Sequence, residues 1–362
     1  MIQYIIKRTA YGLLVLLGVV FVVFVLFSLA NVDPARMTLG QRADLATVEN
    51  VRKEFNLDLP LSSQFLLYLN DISPLSFHNE VDEESRTFLD RDKYAGVTPL
   101  LRLGSTKMVF KRPYLRRSYQ TRRDVTELLL ERIPNTIILA VAAMLLATIL
   151  GIAIGVLAAV NHNTALDRAC VALSVFGISF PSYFSAVVFQ LIFAYLLQEI
   201  TGLNLTGDLY VADELTGEEK LVLKNLILPA VVLGIRPVAV IVQLTRSAML
   251  DVLSMDYVRT ARAKGLSERV VLVRHALRNA LNPVVTSISG WFAALLAGAF
   301  FVEIIFDYKG LGFETVEALR KFDFPVLMGS ILFAATIFVA INILVDILYS
   351  ILDPRVSVKG AK

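Results

Sequence analysis

The 362-residue chain is 56% hydrophobic and 19% charged, with a mean hydropathy of +0.64. A soluble domain of this size needs more charge to keep its surface wet, so the composition excludes a cytosolic enzyme, a disordered chain and a secreted disulfide scaffold. The net charge of +3 is too small to argue for nucleic acid, and the one cysteine, Cys170, cannot close an internal bridge.

A helix needs about 20 apolar residues to cross a hydrocarbon core. Six runs reach that length: 10–30, 136–160, 169–197, 225–244, 282–302 and 325–351. Lys7 and Arg8 precede the first run, as they would a signal peptide. It is longer than a usual apolar signal region, and no small-residue cleavage site follows Asn31, so it reads as a helix. Lys and Arg of the short loops then set the orientation. With the N-terminus inside, the inner segments hold 13 of them and the outer short loops 5. Both termini are therefore expected in the cytoplasm.

The segment 31–133 is the long exception, and the same orientation puts it outside. Its charges are segregated: 80–92 is acidic, whereas 101–123 has eight basic residues and no acid. The stretch 47–69 reads as helical with a break at Pro60. Two uses fit this cap. Its charge blocks pair with each other, or the basic block is a docking surface for an external partner.

Recognisable enzyme chemistry is missing from the sequence. It has no G-x-x-x-x-G-K-[S/T] phosphate loop and no H-E-x-x-H, and His78, His162 and His275 all fall outside the apolar runs. Ser287-Ile288-Ser289-Gly290 weakly resembles a nucleophile turn, but no histidine lies at membrane depth to activate it. Pathway candidates are few. Arg236-Pro237 interrupts the fourth run, and Asn342 and Asp346 share a face of the last. Arg236 could satisfy the carbonyl that Pro237 frees, or line a path for an anionic group. On the outer side Glu303, Asp307, Glu314, Glu317 and Asp323 could contact a partner or gate the path; for Glu314 and Asp323 the simpler expectation is a solvated turn.

The loop 246–281 is the informative stretch. Ser254 is placed to cap a short helix with Asp256 in its first turn. The helix 257–264 is about 12 Å long at the helical rise, and Gly265 supplies a left-handed stop. Ser267 and Glu268 are placed to start a second helix with an apolar stripe at Val270, Val273, Leu277, Ala280 and Leu281, opposite Arg274 and Arg278. A helix of eight residues is unstable alone in water. It must pack on this chain's own helix ends, on headgroups, or in a partner's groove with Tyr257 and Ala261 facing in.

The string Tyr257-Val258-Arg259-Thr260-Ala261-Arg262-Ala263-Lys264-Gly265-Leu266, followed by His275-Ala276-Leu277-Arg278-Asn279-Ala280-Leu281-Asn282-Pro283, resembles the "EAA" loop of ABC-importer permeases of the dipeptide/oligopeptide/nickel type. Arg259-Thr260-Ala261 stands at its name-giving triplet and Gly265 at its glycine. Asp33-Pro34-Ala35-Arg36, Arg132-Ile133-Pro134-Asn135-Thr136, Gly310-Leu311-Gly312 and Asp353-Pro354-Arg355 agree, so the resemblance covers nearly the whole chain. Two places depart from it. The stretch 74–99 looks like an insertion, and Gln243 stands where many relatives have a basic residue before Thr245-Arg246.

The resemblance implies an all-α polytopic membrane protein with six transmembrane helices and the type I ABC importer permease fold, carrying a mixed extracytoplasmic insertion after the first helix. It divides the chain into a first helix (1–30), a cap (31–133), a five-helix core (134–353) with the coupling loop 246–281, and a tail (354–362). It implies a subunit of the bacterial inner membrane that imports peptides in a binding-protein-dependent system. Its partners would be a second homologous permease, two cytoplasmic ATPase subunits and an extracytoplasmic substrate-binding protein, besides the lipid bilayer. No cofactor belongs to this chain; ATP and magnesium belong to the ATPases. Tyr257, Arg259, Thr260, Ala261, Ala263, Lys264 and Gly265 are the expected ATPase-coupling residues, and Arg236, Gln243 and Asp346 the pathway candidates. A membrane scaffold recruiting a cytoplasmic partner, or a peptide exporter built from the same parts, are the alternatives.

Overall fold

The structure, a computed structural model, describes residues 2–29, 48–49, 52–53, 55–83, 85–91, 93–213 and 217–352. The chain divides into two compact units, Ala10–Glu131 with Glu314–Ala335, and Arg132–Phe313 with the two ends of the chain.

Helix α1 (Ile2–Leu29), which belongs to the first unit from Ala10 on, carries the candidate span Ile6–Ser28. Residues 48–49 and 52–53 are helical, while 47, 50, 51 and 54 lie outside the described residues. Pro60 starts α2 (Leu61–Ile72), its fixed φ of −57° already suited to the turn. The mixed segment then forms an antiparallel sheet of β1 (Leu75–Asn79), β2 (Thr98–Leu103) and β3 (Thr106–Phe110) in the order β1-β3-β2. The β2–β3 register shifts between Pro99 and Leu101, where proline offers no ladder donor. Val109 is fully buried and packs with Leu89 and Tyr94.

This unit is organised around Asp71, at the end of α2. Its carboxylate accepts Tyr94 Oη at 2.7 Å and Arg116 Nε at 2.9 Å, and its backbone oxygen accepts Lys111 Nζ at 2.5 Å. Burial pulls the Lys111 ammonium down to about 8. Lys107 pairs with Glu80 at 2.9 Å, joining the basic block to the acidic one. Asp323, expected as a solvated turn residue, is instead buried and accepts the Ser118 hydroxyl and the Tyr119 amide.

The second unit is built on long helices: α3 (Val125–Val160), which belongs to it from Arg132 on, α4 (Ala165–Ser179), α5 (Ser182–Phe189) with a π-type continuation Gln190–Leu196, and α6 (Lys224–Leu253). The small hairpin β4 (Tyr210–Ala212) and β5 (Glu219–Leu221) precedes α6. After α6 come α7 (Asp256–Ala263), the π-type segment Val271–Leu277, α8 (Arg278–Gly298), α9 (Phe300–Ile305), α10 (Leu311–Arg320) and α11 (Phe324–Leu352), of which Glu314–Ala335 is counted with the first unit. Gly151 and Gly155 of α3 let it approach α6 closely. A Cβ on either would stand 2.6 Å from Ile241 or Thr245, so the four-residue spacing of glycines makes a small-residue seam.

Four helices among the described residues are long and apolar enough to cross a membrane: the spans on α1, α3, α6 and α11. The third predicted run is not one straight helix. Its parts, Ala165–Ser179 and Ser182–Leu196, are bent by 106°, and together they make a fifth span if counted as one. Phe180 precedes Pro181 and takes an extended ψ of 137°, as the pre-proline clash dictates. The run 282–302 is divided at Ala299 between α8 and α9 and is not among these spans. Conversely, α6 passes through Pro229 and Pro237 without a break.

Candidate functional site

The α7 corner begins where α6 stops. Ser254 does not cap α7; its hydroxyl donates back to the Asp251 carbonyl at 2.7 Å and closes α6 instead. Met255, extended at ψ 148°, precedes the first turn of α7, where Asp256 lies at the positive end of the dipole. At the other end Gly265 adopts φ +77°, and Leu266 N–H returns to the Ala261 carbonyl at 3.4 Å. Arg262 spans the corner to grip both oxygens of Glu268, at 2.9 and 3.3 Å.

One face of α7 is buried by its own chain. Val258 and Ala261 pack among Met249, Val252, Val271, Ala276 and Ala280. Burying Val258 contributes about 1.5–3 kcal/mol, which an eight-residue helix cannot obtain from its backbone alone. Ala261 therefore points inward onto its own chain, the first of the seats that the sequence leaves open, and of Tyr257 and Ala261 only Tyr257 is exposed. Arg259, Thr260, Ala263, Lys264 and Gly265 are exposed on the remaining faces. Tyr257 stands at the edge, 38% exposed, and its hydroxyl accepts Asn279 Nδ2 at 2.8 Å.

The apolar stripe after the corner also differs from its α-helical reading. Val271, Ala276 and Ala280 are buried, whereas Val270 and Val273 are exposed. The π-type turns over Val271–Leu277 explain the shift, since hydrogen bonding five residues apart brings Val271 and Ala276 to one face.

A second constellation holds the loop after α9. Glu303, which the sequence offers as an outer acid able to contact a partner or gate the path, is fully buried. Its carboxylate accepts Thr136 Oγ1 at 2.8 Å and Phe313 N–H at 2.9 Å, while Thr136 Oγ1 accepts Leu311 N–H at 2.7 Å. The first free amides of α10 are thus satisfied by a hydroxyl and an anion from elsewhere in the chain. Beside them, Asn135 Nδ2 donates to Asp208 Oδ1 and the Lys309 carbonyl, and Tyr308 Oη donates to the Asn135 carbonyl. Burial pushes the Glu303 carboxyl up to about 7, against the hydrogen bonds that favour its charge. Asn135-Thr136 and Gly310-Leu311-Gly312, separate fragments in the sequence, are joined by this clasp.

A third cluster ties α4 to α6. Arg246 binds Asp167 with Nε at 2.6 Å and Nη2 at 2.8 Å, and His162 Nδ1 lies 3.3 Å from the same carboxylate. No local signal marks this pair, because 79 residues separate its members.

Of the pathway candidates, Arg236 is exposed and donates to the Phe180 carbonyl at 3.4 Å. It thereby meets the extended residue of the α4–α5 bend rather than the carbonyl freed by Pro237. Gln243 is half-buried, about two turns further along α6. Asp346 sits on α11 with its side chain outside the described residues, and Asn342 donates to the Phe338 carbonyl of its own helix.

Residues 151–358 match the family described as binding-protein-dependent transport system inner membrane component, and residues 1–82 match its N-terminal region. The chain is 32% identical to the dipeptide transport system permease protein of Escherichia coli strain K12, over 98% of this chain and 99% of that protein. It is 36% identical to the glutathione transport system permease protein of Pectobacterium atrosepticum, over 99% and 100%. It is 35% identical to a putative peptide transport system permease protein of Brucella abortus, over 97% and 98%.

Proposed function

The chain belongs to the family of binding-protein-dependent transport system inner membrane components, and we propose that α7 is the element through which this ABC permease receives the work of its ATPases. The permease is of the peptide type, and it is a transport component of the inner membrane rather than a catalytic ATPase. Peptides are its cargo in this reading, since the dipeptide, glutathione and peptide permeases above cover it end to end.

The observation that carries the role of α7 is its two-sidedness. Val258 and Ala261 fasten it to this chain, while Arg259, Thr260, Ala263 and Lys264 are left exposed toward a second protein. Force on the exposed face reaches α6 and α8 through the buried face, because the corner is closed by Gly265 and the Arg262–Glu268 pair. In this assembly the six apolar runs span the membrane with both termini cytoplasmic. Residues 31–133 face outward toward a substrate-binding protein, and a second homologous permease and two ATPase subunits complete the complex. Arg236 supports the Phe180–Pro181 bend, and Gln243 and Asp346 lie along the path near its inner mouth.

Reconstitution of the full complex with its binding protein tests this reading. Gly265→Pro is expected to leave membrane insertion intact while peptide uptake stops and ATP hydrolysis no longer responds to the loaded binding protein. Unchanged uptake by that variant contradicts it.

A further inference from the structure

Three cavities in the unit of Ala10–Glu131 and Glu314–Ala335 run into one another and change character along their length. The first, about 400 Å³, is apolar and lies between the last two turns of the α1 span and the start of α2, against Phe21, Phe24, Leu61 and Phe65. The second, about 480 Å³, shares Phe24, Ser28 and Leu61 with the first and adds Gln64, Tyr68 and Arg116. The third, about 660 Å³, shares Phe55, Arg116 and Tyr119 with the second and brings Lys93, Arg117 and Arg122 to its wall.

Among the described residues, cations outnumber acids on the wall at the far end. Four cations line the third cavity against Asp71 and Asp90. Asp71 is already engaged by Tyr94 and Arg116, with Lys93 at 3.7 Å. Arg116 Nη2 is buried and has no hydrogen-bond partner among the described residues, so a donor is left unmet at the junction of the second and third cavities. Arg117 and Arg122 are exposed. At the near end the exposed apolar surface is large: Phe21 is 54% exposed, Leu61 51% and Leu66 65%.

An apolar groove on the final turns of a membrane span, opening past the helix end into a cationic pocket, matches an amphiphile with an acyl chain and an anionic head. The carboxylate of a polar peptide would satisfy the cations but leave the apolar groove unfilled. We propose that this cleft holds one anionic phospholipid, with an acyl chain between α1 and α2 and its phosphate at Arg116, Arg117 and Arg122. The site does not depend on the transport reading of α7, since it involves other residues and a different ligand.

Native mass spectrometry of the purified complex tests it, with phosphatidylglycerol and phosphatidylcholine of identical chains as probes. The wild type is expected to retain one phosphatidylglycerol with a half-saturating concentration at least tenfold below that of phosphatidylcholine. The double variant Arg117→Gln with Arg122→Gln, both outside the Asp71 network, should lose that preference. Ser62→Trp, which fills the groove, should lose both lipids. Wild-type retention by either variant, equal binding of the two lipids, or one-for-one displacement of phosphatidylglycerol by tetraglutamate peptide would overturn the assignment.

Discussion

The α7 corner and the Glu303 clasp are both short helical segments hung between longer apolar helices, but they place their polar groups in opposite ways. At the clasp the Glu303 carboxylate, the Thr136 hydroxyl and the Asn135 amide are all buried. Glu303, Thr136 and Asn135 exhaust their bonds on the loop 308–313 and leave little for another molecule. At the corner the inward face holds only Val258 and Ala261, while the charged residues are exposed. A carboxylate consumed by its own chain fixes geometry, whereas charge left on a rigid, small-residue mount is available to a partner. The sequence shows acidic and basic residues in both places, so composition does not separate the two roles. Burial does.

The contrast can be broken most forcefully at the clasp. Glu303→Ala leaves the Phe313 amide and the Thr136 hydroxyl unmatched in a buried site, at a cost of about 2–3 kcal/mol. The expected result is a lower melting temperature of the purified protein and poor recovery of the complex; a variant as stable as wild type would mean the clasp is not structural. Its pH dependence has a definite sign. A carboxyl raised on folding binds more protons in the folded state, so its contribution is best at low pH and is lost as pH rises from the ordinary carboxyl range through about 7. Thermal melts at pH 5.5 and 8 should show a loss of stability in the wild type that Glu303→Gln reduces.

At the corner the effects should be smaller in stability and larger in coupling. Ala261→Asp places a charge in the cluster of Met249, Val252 and Ala276, so α7 is expected to leave its seat. Limited proteolysis should then cut between 254 and 270, in a protein whose spans remain inserted. Gly265→Ala costs about 1–2 kcal/mol of left-handed strain with no clash, since nothing stands within 4 Å of the added Cβ. Partial loss of peptide-stimulated ATP hydrolysis is expected, recovered by Gly265→Asn more than by Gly265→Val. The smallest effect belongs to Arg262 and Glu268. Their exposed pair should show a coupling of about 0.5 kcal/mol or less in a double-mutant cycle.

Much of this arrangement is legible in the sequence. The run at 225–244 lies within α6, residues 10–29 of the first run lie within α1, and Gly265 carries the positive φ that the corner needs. Other features require three dimensions. Phe180-Pro181 is a visible signal for the 106° bend, but Pro237 is the same kind of signal and, buried within α6, leaves that helix continuous. The stripe at Val270 and Val273 assumes 3.6 residues per turn, and the π-type segment moves the buried face to Val271 and Ala276. Glu303 and Asp323 read as surface acids since their partners, Thr136 and Ser118, are 167 and 205 residues away.

The central claim is that α7 offers one face to its own chain and the other to the ATPase. Adjacent residues test it. In a Cys170→Ser background, which removes the one native cysteine, Thr260→Cys and Ala261→Cys are each exposed to a short bifunctional cross-linker in the assembled complex. The account predicts an adduct between Thr260→Cys and an ATPase subunit, and none from Ala261→Cys. Equal cross-linking from both positions, or from Ala261→Cys alone, would contradict it.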